Sequence, residues 1–245
     1  QNLPEGYYEH LAEGKDDYFI NVYVHGKYGY LRDGKPVYPS FNDKVHCVEE
    51  IEPIKGREIY LGVDFGLTPA IAIGQLAPNG QLRILDEITS DRAGIKQMLD
   101  IAKPYIAQEF PSNLIDGWYC DPAGRQGTQG NMDSPFDVML QEGVLPEEGI
   151  QDPEIRIEAV TNLLNKMIDG EPAIIISKKC KMLRKGFNGA YHYRRLKVSK
   201  ERYMDKPDKG DPSSHIHDAL QYLCTRLFNP LGDDTRRRTP VRVRR

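Results

Sequence analysis

Cysteine is scarce and scattered. The four residues Cys47, Cys120, Cys180 and Cys224 include no CxxC pair. That excludes a zinc ribbon and points to buried thiols in a reducing compartment. Long apolar runs are missing too: stretches such as 59–65 and 173–176 are of strand length, so no transmembrane helix is available. The opening QNLPEGYYEH has neither a basic n-region nor an apolar h-region, and a secretory signal is not expected. It also lacks an initiator Met, which reads as a piece of a longer polypeptide. Positive charge is in short supply: the formal net charge is −3. Residues 233–245 hold six arginines against two aspartates, a net +4, which leaves −7 on everything before them. A body of that sign does not grip nucleic acid by bulk charge and would need local basic loops and metal ions. A GxxxxGK[ST] phosphate loop is absent as well.

What is present, 39% hydrophobic and 28% charged residues, fits one soluble globular domain. Residues 1–56 read as a hairpin-like lead-in, with strand-like YFINVYV at 18–24 and Gly and Pro punctuation in LRDGKPVYP. REIYLGVDFG (57–66) is a buried strand. AIAIGQLA (70–77) and QLRILDEIT (81–89) flank a Pro-Asn-Gly turn. Helical spacing covers 95–110, with a kink expected at Pro104, and LIDGWYC (114–120) is a further strand. A short helix over 134–143 is capped by Ser134, an amphipathic helix spans 153–170, and PAIIISKK is a strand. Residues 180–191 are expected to be helical and 192–212 to form a basic hairpin or loop. A last helix is capped by Ser213 and Ser214, and an Arg-rich disordered tail covers 231–245. This order predicts an α/β fold, a mixed sheet with helices on both faces.

Three carboxylates stand where chemistry is plausible. Asp64 ends an apolar strand, where a charge is costly unless paired or metal-bound, and Gly66 beside it leaves room for a phosphate. Asp121 follows another apolar strand and precedes Pro122; as a lone signal it equally suits a turn initiator. Asp218 falls off the apolar stripe of Ile216, Ala219, Leu220, Leu223 and Leu227, which suits either a cleft or a solvated helix face. Together, two strand-end aspartates and one on a late helix can meet at one sheet edge. Hard oxygen ligands select Mg²⁺ or Mn²⁺, and two such ions would serve phosphodiester hydrolysis.

The strings GVDFGLTPA, WYCDPAG and SSHIHDALQY, in that order and spacing, resemble the nuclease domain of tailed-phage large terminases. So does YGYLRDGKPVYPSFN, which resembles the segment joining that family's ATPase and nuclease domains; the likeness runs over roughly 15–230. It implies a ribonuclease H-like fold over 57–230 and Mg²⁺ or Mn²⁺ dependence. It also implies that Asp64, Asp121 and Asp218 match the family's three catalytic acidic positions. The expected substrate is double-stranded concatemeric viral DNA. The implied partners are an ATPase domain, a small terminase subunit and the portal or procapsid, in the host bacterial cytoplasm. Without a P-loop, the chain is expected to cut DNA but not to pump it.

Weaker candidates remain. His217 could touch a metal or be an ordinary helix histidine. Arg125, Lys178, Lys179, Arg194, Arg195 and Lys197 could contact DNA phosphates or be solvated. Trp118 and Tyr119 read as core. Other readings are an actin-like ATPase or sugar kinase, because Asp64 to Thr68 matches DxGxT, a Holliday-junction resolvase or transposase core, and a non-catalytic capsid adaptor. ATP binding or metal-dependent nicking would separate them.

Overall fold

Alternating Ile59, Leu61 and Val63 do build a strand, and all three are fully buried. The computed structural model describes residues 34–66, 68–127, 133–196 and 202–228. Its elements begin with β1 (Gly34–Pro36), α1 (Asp43–His46), β2 (Cys47–Val48), β3 (Ile59–Asp64), β4 (Ala70–Leu76) and β5 (Leu82–Thr89). Then come α2 (Ile95–Glu109), β6 (Ile115–Cys120), α3 (Pro135–Gln141), β7 (Pro146–Glu148) and α4 (Pro153–Asn165). The chain continues with β8 (Met167–Ile168), β9 (Glu171–Pro172), β10 (Ile174–Ser177), α5 (Lys181–Lys185), β11 (His192–Arg194) and α6 (Ser213–Leu227).

Seven strands form one mixed sheet in the order β2-β10-β5-β4-β3-β6-β7. β3, β4 and β5 are antiparallel neighbours, and β6, β7, β10 and β2 join in parallel pairings. Each face has its own apolar core. On one, Leu61, Val63 and Ile73 meet Met98, Leu99 and Ala102 of α2 and Phe136 and Met139 of α3. On the other, Ala70, Ala72 and Ile84 meet Val160 and Leu163 of α4 and Ala219, Leu220 and Leu223 of α6. This is the expected two-sided mixed sheet, a ribonuclease H-like fold.

Several local expectations are corrected. The helix expected over 153–170 stops at Asn165, because Asp169 and Gly170 take φ of 53° and 84° and turn the chain into the β8–β9 pair. An Asp-Gly pair with both φ positive is a tight hairpin turn, and that chemistry overrides helical spacing. Residues 180–191 are helical only to Lys185; a wider π-turn, Gly186–Ala190, follows. Ser213 and Ser214 do not cap α6 but lie buried in its first turn, while the Asp211 carboxylate accepts from the Ser213 amide at 2.9 Å. Pro104 sits inside α2 without ending it.

Residues 34–56 are packed into the domain. β1 pairs with β11 rather than within the lead-in, β2 extends the main sheet, and Val37 and Tyr38 enter the core. The strand expected at 18–24 and the Arg-rich tail lie outside the described residues. Cys120, Cys180 and Cys224 are buried, Cys47 is half-buried, and all four are free thiols. Among the described residues no helix is long and apolar enough to cross a membrane.

One partly buried acid stands on β5, two strands from β3. Glu87 of β5 accepts from the backbone amides of Met182, a bond of 2.6 Å, and Leu183, 2.9 Å, and burial raises its pKa to about 7. An acid whose pKa is raised on folding binds its proton more tightly in the native state. It therefore favours folding fully below the unfolded value near 4.5, and that contribution is lost as pH rises through about 7. Unfolding free energy from urea titrations is expected to fall over this window by up to roughly 3 kcal/mol. Glu87→Gln should flatten that slope relative to wild type; identical pH profiles would refute the assignment.

Candidate carboxylate site

Asp64 is the last residue of the interior strand β3 and is 4% exposed. Its Oδ2 accepts from the Gly66 amide at 3.2 Å and lies 2.8 Å from His215 Nδ1. Gly66, expected to leave room for a phosphate, makes room for that histidine: a Cβ here would fall 2.3 Å from the His215 ring. Asp121 leaves the neighbouring parallel strand at the same edge, where Val63 pairs with Cys120 and the Asp121 amide donates to the Val63 carbonyl at 3.0 Å. Its Oδ1 accepts from Ala123 at 2.9 Å, so it starts a turn as well.

Asp218 arrives from the other direction, on α6. That helix lies directly on β3, since a Cβ at Gly62 would fall 1.9 Å from the Ala219 carbonyl oxygen. The solvated face considered for Asp218 is not there. α6 is buried on nearly all sides from Ser213 to Thr225, and Asp218 itself is 7% exposed. Its carboxylate is flanked by two cations. The Lys209 ammonium donates to Oδ2, and Arg156 NH1 lies 3.9 Å from Oδ1.

Electrostatics couple Asp218 to Asp64. Burial pushes the Asp218 carboxyl up, the Lys209 ammonium pulls it down, and the Asp64 charge pushes it up again. The Tyr222 hydroxyl is held well above its usual range, chiefly by burial. The Arg156 charge opposes this, and Asp121, Asp218 and Asp64 all add to it. The hydrogen bond to Asp64 raises the His215 pKa.

His217 is structural. Its Nε2 meets the Leu183 carbonyl at 3.1 Å, its ring packs against those of Tyr38 and Tyr191, and burial depresses its pKa to about 3. The histidine at the acids is His215, three residues before Asp218. An i, i+3 spacing puts two side chains on one helix face, and that was the available signal. Arg156, on α4, carried none.

The basic candidates do not all gather here. Arg125, in the turn after Asp121, pairs with Glu148 at 2.7 Å and lies over the Phe136 ring. Arg194 is held by both oxygens of Asp208 at 2.9 Å. Arg195 is exposed and bridges to Tyr203, and Lys197 lies outside the described residues. Lys178 and Lys179 follow β10, separated from β3 by β5 and β4, and pair with Glu49 and Glu50. Trp118 and Tyr119 are buried, as core residues should be.

Among the described residues no three His, Cys, Asp or Glu side chains stand close enough to hold a metal ion. Asp218 is covered by Lys209 and Asp64 by His215. The donor chemistry nevertheless fits a hard divalent cation: carboxylate oxygens, with Asp64 and Asp218 buried and electrostatically coupled.

No family model matches the chain, and no curated protein matches it by sequence. Solved structures do. The large terminase of a thermophilic bacteriophage, in complex with ATP-gamma-S, aligns over 91% of this chain at 15% identity and TM-score 0.59. The alignment covers 52% of that protein, so this chain spans about half its length. The P22 large terminase nuclease domain aligns over 78% of this chain and 93% of its own, at 12% identity and TM-score 0.56. The SPP1 large terminase nuclease domain, solved with bound Mn, aligns over 74% and 96% at 16% identity and TM-score 0.50. The fold of this chain is that of the phage large-terminase nuclease domain.

Proposed function

We propose that this chain is a metal-dependent endodeoxyribonuclease that cleaves double-stranded concatemeric viral DNA during genome packaging. What supports this reading is that Asp64 and Asp121 end neighbouring parallel strands and that α6, which carries Asp218, rests on β3, all on this fold. The three carboxylates would hold two Mg²⁺ or Mn²⁺ ions. Metal bound there would supply activation of a water and stabilisation of the leaving oxygen of a phosphodiester. His215 orients the Asp64 carboxylate, and the helix contact at Gly62 sets Asp218 against it. Arg125, Arg194, Arg195 and Lys197 would steady the DNA backbone, which a chain of net charge −3 does not otherwise attract.

In this reading residues 1–56 join an ATPase domain to the nuclease, with 34–56 packed into it, 57–230 complete the nuclease and 231–245 form a tail. The partners are DNA, the small terminase subunit and the portal or procapsid, in the cytoplasm of the bacterial host. That P22 and SPP1 nuclease domains were solved on their own supports a self-standing unit. Supercoiled plasmid incubated with the chain should become nicked and then linear in Mn²⁺ or Mg²⁺, and stay supercoiled in excess chelator. Equal cleavage in chelator would remove the metal mechanism.

A further inference from the structure

Asp218 carries two cations of unlike kind, and their difference is informative. The Arg156 side chain is 9% exposed and its guanidinium carbon lies over the Tyr222 ring, 4.5 Å from the centroid. Its Nε and NH1 are buried, with no hydrogen-bond partner among the described residues. At 3.9 Å from Oδ1, NH1 is too far for a hydrogen bond but close enough to balance the charge. Packed in this way, Arg156 cannot leave.

Lys209 can. Its side chain is 51% exposed, and its ammonium is a compact charge on a flexible four-carbon stem. The backbone on either side is pinned. The Asp208 amide donates to the His192 carbonyl at 2.7 Å, and the Asp208 carboxylate is gripped by Arg194. The Asp211 carboxylate accepts from Lys185 at 2.7 Å. Movement at residue 209 is therefore confined to the side chain, which has an open route to solvent.

We infer that Lys209 is a positioning residue for metal capture: its ammonium covers Asp218 Oδ2 in the metal-free protein and withdraws when a divalent cation takes that oxygen. Arg156 stays as the permanent counter-ion on the Oδ1 side. The inference rests on the metal-binding reading above. A buried carboxylate beside Asp64 needs a balancing charge at all times, and Lys209 supplies it without fixing it. Metal affinity is thereby held below what the carboxylates alone would give, because binding must displace an ion pair.

Titration calorimetry of the whole chain with Mn²⁺, without DNA, tests this. Lys209→Met removes the competing ammonium and should tighten Mn²⁺ binding about fivefold, the worth of one partly exposed ion pair. Lys209→Arg keeps the charge and should bind as wild type does. Melting temperatures of both variants in chelator check that the fold is kept. Unchanged affinity in Lys209→Met, with wild type binding Mn²⁺ normally, would overturn this inference and leave the nuclease reading standing. A wild-type chain that binds no Mn²⁺ would remove both.

Discussion

Asp64→Asn is expected to abolish plasmid nicking, a loss on the order of 10⁴-fold, the scale seen when one member of a catalytic unit is removed. Asp64 ends the interior strand β3, beside the strand that leads to Asp121 and under the helix that carries Asp218, so in the proposed mechanism it is the acid that both others would share. Asparagine keeps the shape and one acceptor but not the charge. The fold should tolerate the change. Asp64 and Asp218 lie buried beside each other and their charges repel, so removing one offsets the weakened contact with His215. The melting temperature is expected to stay level or rise, as often happens when a strained functional group is neutralised. Nicking assays and thermal unfolding on one preparation check both halves. A variant that cuts at the wild-type rate would show that Asp64 is not part of the chemistry. One that fails to fold would show that it is structural.

Asp64 was legible because a charge in an otherwise apolar alternating strand has few explanations. The β4–β5 hairpin was legible for a similar reason, since Pro78-Asn79-Gly80 punctuates two alternating runs. The acids' neighbours were not. A helical wheel assigns faces by assuming that one side of a helix meets water, and α6 has almost no such side. That assumption made Asp218 ambiguous and drew attention to His217, which is packed among aromatic rings, and away from His215, which touches Asp64. Arg156 and Lys209 reach Asp218 from sequence separations of 62 and 9 residues. No local pattern announces either, because their meeting depends on how α4 and the loop before α6 pack onto α6. The early end of α4 has another cause: Asp169-Gly170 is a turn signal that apolar spacing concealed.

The contact that assembles the site carries the second large effect. Gly62→Ala would place a Cβ 1.9 Å from the Ala219 carbonyl oxygen and 2.9 Å from Leu223 Cβ. The first obstacle is helix backbone, which cannot rotate aside as a side-chain tip can, so α6 must lift from β3. Overpacking of a filled core costs typically 1–3 kcal/mol, and a backbone obstacle belongs at or above the top of that range. The expected loss is about 3 kcal/mol or more, a fall of roughly 6–12 °C in melting temperature for a domain this size. Gly74→Ala is the matched control. It lies on the paired strand β4 opposite Tyr60, and its added Cβ would meet the Leu223 Cδ1 methyl at 3.1 Å, a group able to shift by a few tenths of an ångström. Its cost should stay below about 1 kcal/mol. Asp218 is one residue before Ala219, so lifting α6 also draws its carboxylate away from Asp64. Gly62→Ala should therefore lose Mn²⁺ affinity at temperatures where it is still folded, whereas Gly74→Ala should keep it. If Gly62→Ala retained both its melting temperature and its Mn²⁺ affinity, α6 could not rest on β3 at this point, and the route by which Asp218 reaches the site would have to be redrawn.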